Sequence, residues 1–379
     1  MATSVEIQRR HDALRSAMSE AGLEALVVCG RPFANGRIRY LTNLRQWGGG
    51  RAFLVFPADS EANPTLAFEP VFSTGPAAAR AAGWTGSAKN SDQLPLEVVN
   101  SLEDLHVRPE QVAFAGLDDD MSVSHFRELE SRLSTRALVD QTMLLDQIRL
   151  IKSSEEIEGL REASAIMNAT FAAMERALKP GVRETDVTAE GYRVAQTLGC
   201  QRGYVEIARP PHRNYGPATD AIIQDSDVVA IEQEWAGPSG YWAEAARSYS
   251  FRPLSKTDRK FWDMLQEGFE RCVATVRPGV ATQDLINAVN EIYKPYGYAV
   301  SESVYLAHGI GLEPSEIPFV PGFGVTLESG VAICLHPQTR LNSDDERASL
   351  GHCMIVDQLI VTEQGCERLM NGAPWLNLE

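Results

Sequence analysis

The 379-residue chain is poor in cysteine: six residues, scattered, with no pair in C-x-x-C spacing. That excludes a disulfide scaffold and leaves no sequence signal for a zinc knuckle or a dithiol redox motif. Long apolar runs are also missing; none approaches the roughly 18 residues that span a bilayer. The opening MATSVEIQRRHD turns polar at once and has no apolar core, so no signal peptide is expected. Positive charge is scarce, with 35 Lys and Arg against 51 Asp and Glu and a net charge of −16. A nucleic-acid binder, or a partner of an anionic membrane surface, needs the opposite balance. The expected protein is cytoplasmic, keeps its thiols reduced, and acts on a small molecule.

Hydrophobic residues make up 44% of the chain, and the length suits two domains. In the first third, Val5, Ile7, Leu14 and Met18 lie at near-helical spacing, and Gly22 ends that pattern. Short apolar runs at Ala25–Cys29, Arg51–Phe56, Thr65–Phe68 and Gln111–Ala115 read as buried strands. A small α/β domain over 1–148 follows, and a second domain over 149–379. The boundary segment DQIRLIKSSEEIEGL carries an N-cap serine, Ser153 or Ser154, and then a helical stripe from Ile157 to Leu178.

The second domain repeats itself. Pro180-Gly181-Val182 and Asp186 recur as Pro278-Gly279-Val280 and Asp284, at a constant offset of 98. Each copy predicts a helix, a Pro-Gly turn and a second helix, then a loop with a lone histidine (His212 or His308) and a strand-rich stretch. Two such copies packed about a pseudo-two-fold axis bring equivalent hairpins to one cleft.

Four segments hold the chemistry: ARPPHRNYGP, AIEQEWAGPSGYWAEAARSYSF, LAHGIGLEPSEIPF, and the pair AICLHPQTR and VDQLIVTEQG. With K-S-x-E-E-I and the two PGV repeats, they make the chain resemble the creatinase and aminopeptidase P/prolidase superfamily. The resemblance implies an α+β fold: a pita-bread C-terminal domain behind a smaller α/β N-terminal domain. The peptidases of that superfamily hold two metal ions with two Asp, one His and two Glu. Carried over, those positions fall on Glu232, Glu244, His308, His336 and Val356, so only the histidine is retained. A second peptidase histidine falls on Ser315. Glu232, Glu244, His308 and His336 are all legal ligands for one ion, but Val356 is not.

The resemblance to creatinase, which has lost the metals, implies a metal-independent site with no cofactor. His212, His308 and His336 then exchange protons near neutral pH. Glu232 and Glu244, on neighbouring strands, are two close carboxylates, one of which should be raised in pKa. Tyr241, Trp235 and Arg247 are expected to contact substrate, since pockets favour aromatic walls. Arg51 matches an arginine that, in creatinase-like proteins, reaches the neighbouring subunit's site, which implies a homodimer. The expected function is hydrolysis of a C–N bond in a small polar nitrogen compound. The alternatives are a cofactor-free lyase and a binding protein on a degenerate peptidase scaffold.

Overall fold

The structure is a computed structural model; it describes residues 2–31, 36–44, 50–70, 75–133, 138–209, 212–300, 306–339 and 355–378. The chain divides into two compact units, Met1–Arg149 and Leu150–Glu379.

In the first unit the elements run α1 (Ser4–Glu20), β1 (Ala25–Gly30), α2 (Gly36–Thr42), β2 (Ala52–Pro57), β3 (Thr65–Phe68), α3 (Gly75–Ala81), β4 (Ser87–Asn90), α4 (Leu94–Asp104), β5 (Val112–Ala115), α5 (Val123–Leu133) and α6 (Thr142–Leu150). The four apolar runs expected as strands are β1, β2, β3 and β5. They form a mixed sheet with the polar β4, in the order β4-β3-β2-β1-β5. Every residue of β1, β2 and β5 is buried, which is why these strands read as continuous apolar runs rather than alternating ones.

The second unit begins with α7 (Ser154–Ala177) and α8 (Glu184–Thr197). Ser153 caps α7: its hydroxyl accepts from Glu156 N at 3.2 Å, and the Glu156 carboxylate accepts from Ser153 N at 3.1 Å. This reciprocal pair satisfies two amides that the helix start leaves open. Leu160, Ala163, Met167, Phe171 and Met174 recur on one face of α7 and are buried, in a core completed by Trp235, Ala243 and Tyr249. The second copy of the repeat is α9 (Lys256–Thr275) and α10 (Thr282–Tyr293). The end of its first helix and the start of its second reproduce the offset of 98. Gly181 and Gly279 hold φ of 91° and 85° after the first helix of each copy, the left-handed turn that glycine adopts without strain.

The strands are β6 (Arg202–Arg209), β7 (His212–Pro217), β8 (Val228–Ala236), β9 (Trp242–Ser250), β10 (Ala307–Gly309), β11 (Pro318–Phe319), β12 (Ala332–Leu335), β13 (Asp357–Val361), β14 (Cys366–Arg368) and β15 (Trp375–Asn377). They make two five-stranded sheets, β15-β9-β8-β6-β7 and β11-β10-β12-β13-β14. A bridge between Ala246 and Val356 links the sheets. Helix pairs related by a repeat, with the two sheets they bring together, are the pita-bread arrangement. No helix among the described residues is long and apolar enough to cross a membrane.

Candidate active site

The site grows from strand parity. Side chains alternate between faces, so residues two apart on a strand share one. On β8, Ile231, Gln233 and Trp235 face α7: the Gln233 side-chain oxygen accepts from Thr170 at 2.8 Å and from the Trp235 indole at 2.6 Å. Glu232 and Glu234 therefore face the other way. Across β9, Glu234 pairs with Glu244 and Glu232 with Ala246; across β6, Glu232 pairs with Glu206. Among the described residues, Glu232, Glu234 and Glu244 bring carboxylate oxygens within 4.8 Å of one another.

The second sheet supplies the basic side. His308 on β10 pairs with Cys334 on β12, and His336 follows Cys334 by two residues. His308 Nε2 lies 3.2 Å from Glu244 Oε2, and the His308 and His336 rings are 5.0 Å apart. Glu244, His308, Cys334 and His336 are all buried, with one ligand atom each within 4.8 Å of the others. His308 Nδ1 lies 3.0 Å from the carbonyl of Gly309. Donation there turns Nε2 toward the cluster, the usual way a ligand histidine is oriented.

The sequence motifs explain this geometry. In H-G-I-G-L-E-P-S-E, the chain folds back so that Glu316 N donates to Gly309 O at 2.8 Å and Gly309 N to Ile317 O at 2.9 Å. A Cβ at Gly311 would lie 2.5 Å from the Glu316 carboxylate, which would have to move to admit one. Lys152, from the K-S-x-E-E-I segment, reaches Glu316 at 2.9 Å in a buried pair. Two motifs distant in sequence thus hold one loop beside His308.

The carboxylates respond to their surroundings in opposite ways. Burial, with the charges of Glu244, Glu234 and Glu206, pushes the Glu232 pKa up to about 9. Burial and Glu244 push Glu234 up to about 7, partly opposed by the hydrogen bond from the Tyr204 hydroxyl and by His308. Burial also acts to raise Glu244, but His308, His336 and Cys334 reverse it and hold this carboxyl below its ordinary value. For His308, burial is outweighed by Glu244, which raises its pKa. The Cys334 thiol is pushed well above its ordinary value by burial and by Glu244.

Glu232, Glu244, His308 and His336 converge. The side chain of His212 lies outside the described residues, although its backbone begins β7. The expected substrate contacts Trp235, Tyr241 and Arg247 point elsewhere. Trp235 is core, packed edge-on to Tyr192. The Tyr241 hydroxyl donates to Glu156 at 3.0 Å, and its ring fills the space a side chain at Gly159 would need. Arg247 is one residue out of phase with Glu244; it pairs with Glu175 at 2.7 Å and stacks on Phe171. Arg51 belongs to the first unit, where its backbone N donates to Glu69 at 2.7 Å. Sequence reasoning missed Glu234 and Cys334. Alternation within one strand marks both: Glu234 shares a face with Glu232, and Cys334 with His336.

The pattern of metallopeptidase family M24 matches residues 158–363, and that of the creatinase/prolidase N-terminal domain matches 10–151. The Xaa-Pro dipeptidase of Pyrococcus furiosus is 25% identical over 287 residues, covering 74% of this chain and 80% of its own. Dipeptidase PepE from Mycobacterium ulcerans superposes with a TM-score of 0.83 at 25% identity, over 99% of this chain and 98% of that one. Prolidase from Pyrococcus horikoshii superposes at 0.80 and 18% identity, over 96% and 99%. These findings overturn the expected metal independence and give no support to a lyase, whereas the expected enzyme of the hydrolase class agrees with them. The expectation counted ligands position by position, and so overlooked side chains that strand register brings to the same place. The chain belongs to metallopeptidase family M24, with a creatinase/prolidase N-terminal domain.

Proposed function

We propose that the chain is a metal-dependent hydrolase that cleaves the amide bond of a dipeptide-sized substrate. The observation that carries this reading is the convergence of Glu244, His308, Cys334 and His336 from two sheets. Family membership and relatives named as dipeptidases support it. The donor set fits one divalent ion: a carboxylate, two imidazoles and a thiol are legal ligands, and a catalytic ion keeps a further position, a fifth here, open for water or substrate. It does not reproduce the five-residue, two-ion set, because Val356 offers no donor.

When bound, such an ion supplies Lewis-acid polarisation of the scissile carbonyl. The chain's own residues do the rest. Before an ion binds, Glu244 pairs with His308 at 3.2 Å and fixes its ring. Glu232, pushed up to about 9 by burial and its carboxylate neighbours in the metal-free protein, is the group this reading assigns to return a proton to the leaving amine. Tyr204 orients Glu234 beside it. The carboxylates on this face attract a substrate's ammonium group. The same reading includes a homodimer, in which Arg51 reaches the partner's substrate.

The test is a panel of X-Pro and other dipeptides offered to protein stripped with a chelator and then reloaded with zinc, cobalt or manganese. The expected result is turnover that vanishes on stripping, returns on reloading, and is lost in His308→Ala. Turnover that survives complete stripping, or no hydrolysis of any dipeptide by the loaded protein, overturns the reading.

A further inference from the structure

The two-ion ligand set that the family resemblance implies is built from nitrogen and oxygen. Here a sulfur stands among the donors. Cys334 occupies the middle of β12, directly across from His308 and two residues before His336, so all three side chains issue from one face of one strand pair. Glu244 enters from the β8–β9 hairpin and accepts a hydrogen bond from the Cys334 thiol. Cys334 is fully buried, and His308 and His336 are 3% and 4% exposed.

We infer that Cys334 is a metal ligand, making this a mixed sulfur, nitrogen and oxygen centre that selects a borderline, thiophilic ion such as zinc over a hard one such as manganese. The inference rests on the metal-dependent reading above and deepens it by naming the class of ion. Bond lengths of about 2.0–2.3 Å around a tetrahedral zinc place its ligand atoms roughly 3.4 Å apart. The four donor atoms here lie within 4.8 Å of one another. Thiolate and imidazole donors favour zinc or cobalt, whereas manganese and magnesium favour carboxylate and water. On binding, the Cys334 S–H bond breaks, a sulfur–metal bond forms, and the proton leaves to solvent.

Cys29, Cys200 and Cys272 are buried thiols without this setting. Cys29 lies in the first unit's sheet, Cys200 in the core under α7, and Cys272 on the buried face of α9. None of the three is in a group of donors within 4.8 Å among the described residues. The thiol is thus a feature of the site.

The experiment uses the full chain, stripped with a chelator and titrated anaerobically with cobalt(II), with spectra recorded at each addition. The expected result is saturable binding with a near-ultraviolet thiolate-to-cobalt charge-transfer band. Cys334→Ser should still bind cobalt but lose the charge-transfer band, and its zinc affinity should fall by at least the roughly 10–100-fold that even an outer-sphere partner is worth. X-ray absorption on the zinc-loaded wild type needs no variant: one sulfur at about 2.3 Å is expected with nitrogen or oxygen at about 2.0–2.1 Å. Cobalt bound in wild type without a charge-transfer band, or a band that persists in Cys334→Ser, overturns the thiolate assignment and leaves the metal-dependent reading standing. Should the stripped wild type bind neither cobalt nor zinc, the metal-dependent reading falls, and this inference with it.

Discussion

The two units bury charge in opposite ways. In the first, Asp146 receives Arg37 at 2.6 and 3.0 Å and Arg149 at 2.8 Å, while Arg37 also reaches Asp120 at 2.9 Å. Acids and bases balance there. Burial acts to raise the Asp146 pKa, but Arg149 and Arg37 hold it below the ordinary range. In the second, three carboxylates of the β8–β9 hairpin meet two imidazoles and a thiol, and Glu232 and Glu234 are raised instead. Buried carboxylates form a closed ion-pair network with arginines in one place and outnumber the basic groups beside them in the other. What separates them is the count of counter-charges within reach.

The largest effect should come from opening the closed network. Asp146→Ala leaves Arg37 and Arg149 buried without their shared partner, and a broken buried pair costs about 3–5 kcal/mol. Urea unfolding should show that loss, while cobalt binding in the second unit stays unchanged. Next is His308→Ala, which removes a donor from the open cluster. Metal affinity should drop by at least about 10–100-fold, whereas the metal-free protein should lose less stability than Asp146→Ala does, because the stranded Glu244 can take up a proton and a stranded arginine cannot lose one. A fall in metal-free stability as large as that of Asp146→Ala would erase the contrast between the regions.

pH sharpens it. Asp146 has a depressed pKa, so its stabilising contribution is present above the unfolded value near 3.9 and is lost as pH falls through the folded value. Glu232 is raised to about 9, so the folded metal-free protein binds a proton that the unfolded chain releases near 4.5. Its contribution is present at low pH and is lost between about 4.5 and 9. Melting curves of stripped protein across pH should therefore fall on the acid side through Asp146 and decline toward alkali through Glu232. Asp146→Asn should flatten the first limb and Glu232→Gln the second. The smallest effect is that of Glu232→Gln at acid pH: below about 4.5 the wild-type carboxyl is protonated folded and unfolded, so the metal-free variant should match it. At neutral pH the variant should be the more stable, because only the unfolded wild-type chain gives up its proton there. Equal stability at neutral pH would show that Glu232 is ionised in the folded protein.

Much of the fold was legible because local pattern and tertiary role agree. The apolar runs of β1, β2, β3 and β5, the Ser153 cap and the Pro-Gly repeat are all local signals. β4 was missed because its SAKN sequence is polar and only partly buried. α2 was missed because it carries arginines into the interior, Arg37 among them, where paired acids make burial tolerable. At the site, His308, His336, Glu232 and Glu244 were named from motifs and do meet. Arg247 and Trp235 were drawn from the same hairpin without regard to parity, and one step along a strand sends a side chain to the opposite face.

By itself, then, the sequence determined the helical repeat, the strand runs, and the rule that Glu232 shares a face with Glu234 and Cys334 with His336, since a period of two is a local property of the backbone. Only the tertiary structure decided that these faces meet. Nothing local sets the pairing of His308 with Cys334, or the approach of Glu244 to His308 across 64 positions of chain. Register between distant strands follows from which hydrophobic faces are buried together, and that is decided by the whole unit at once.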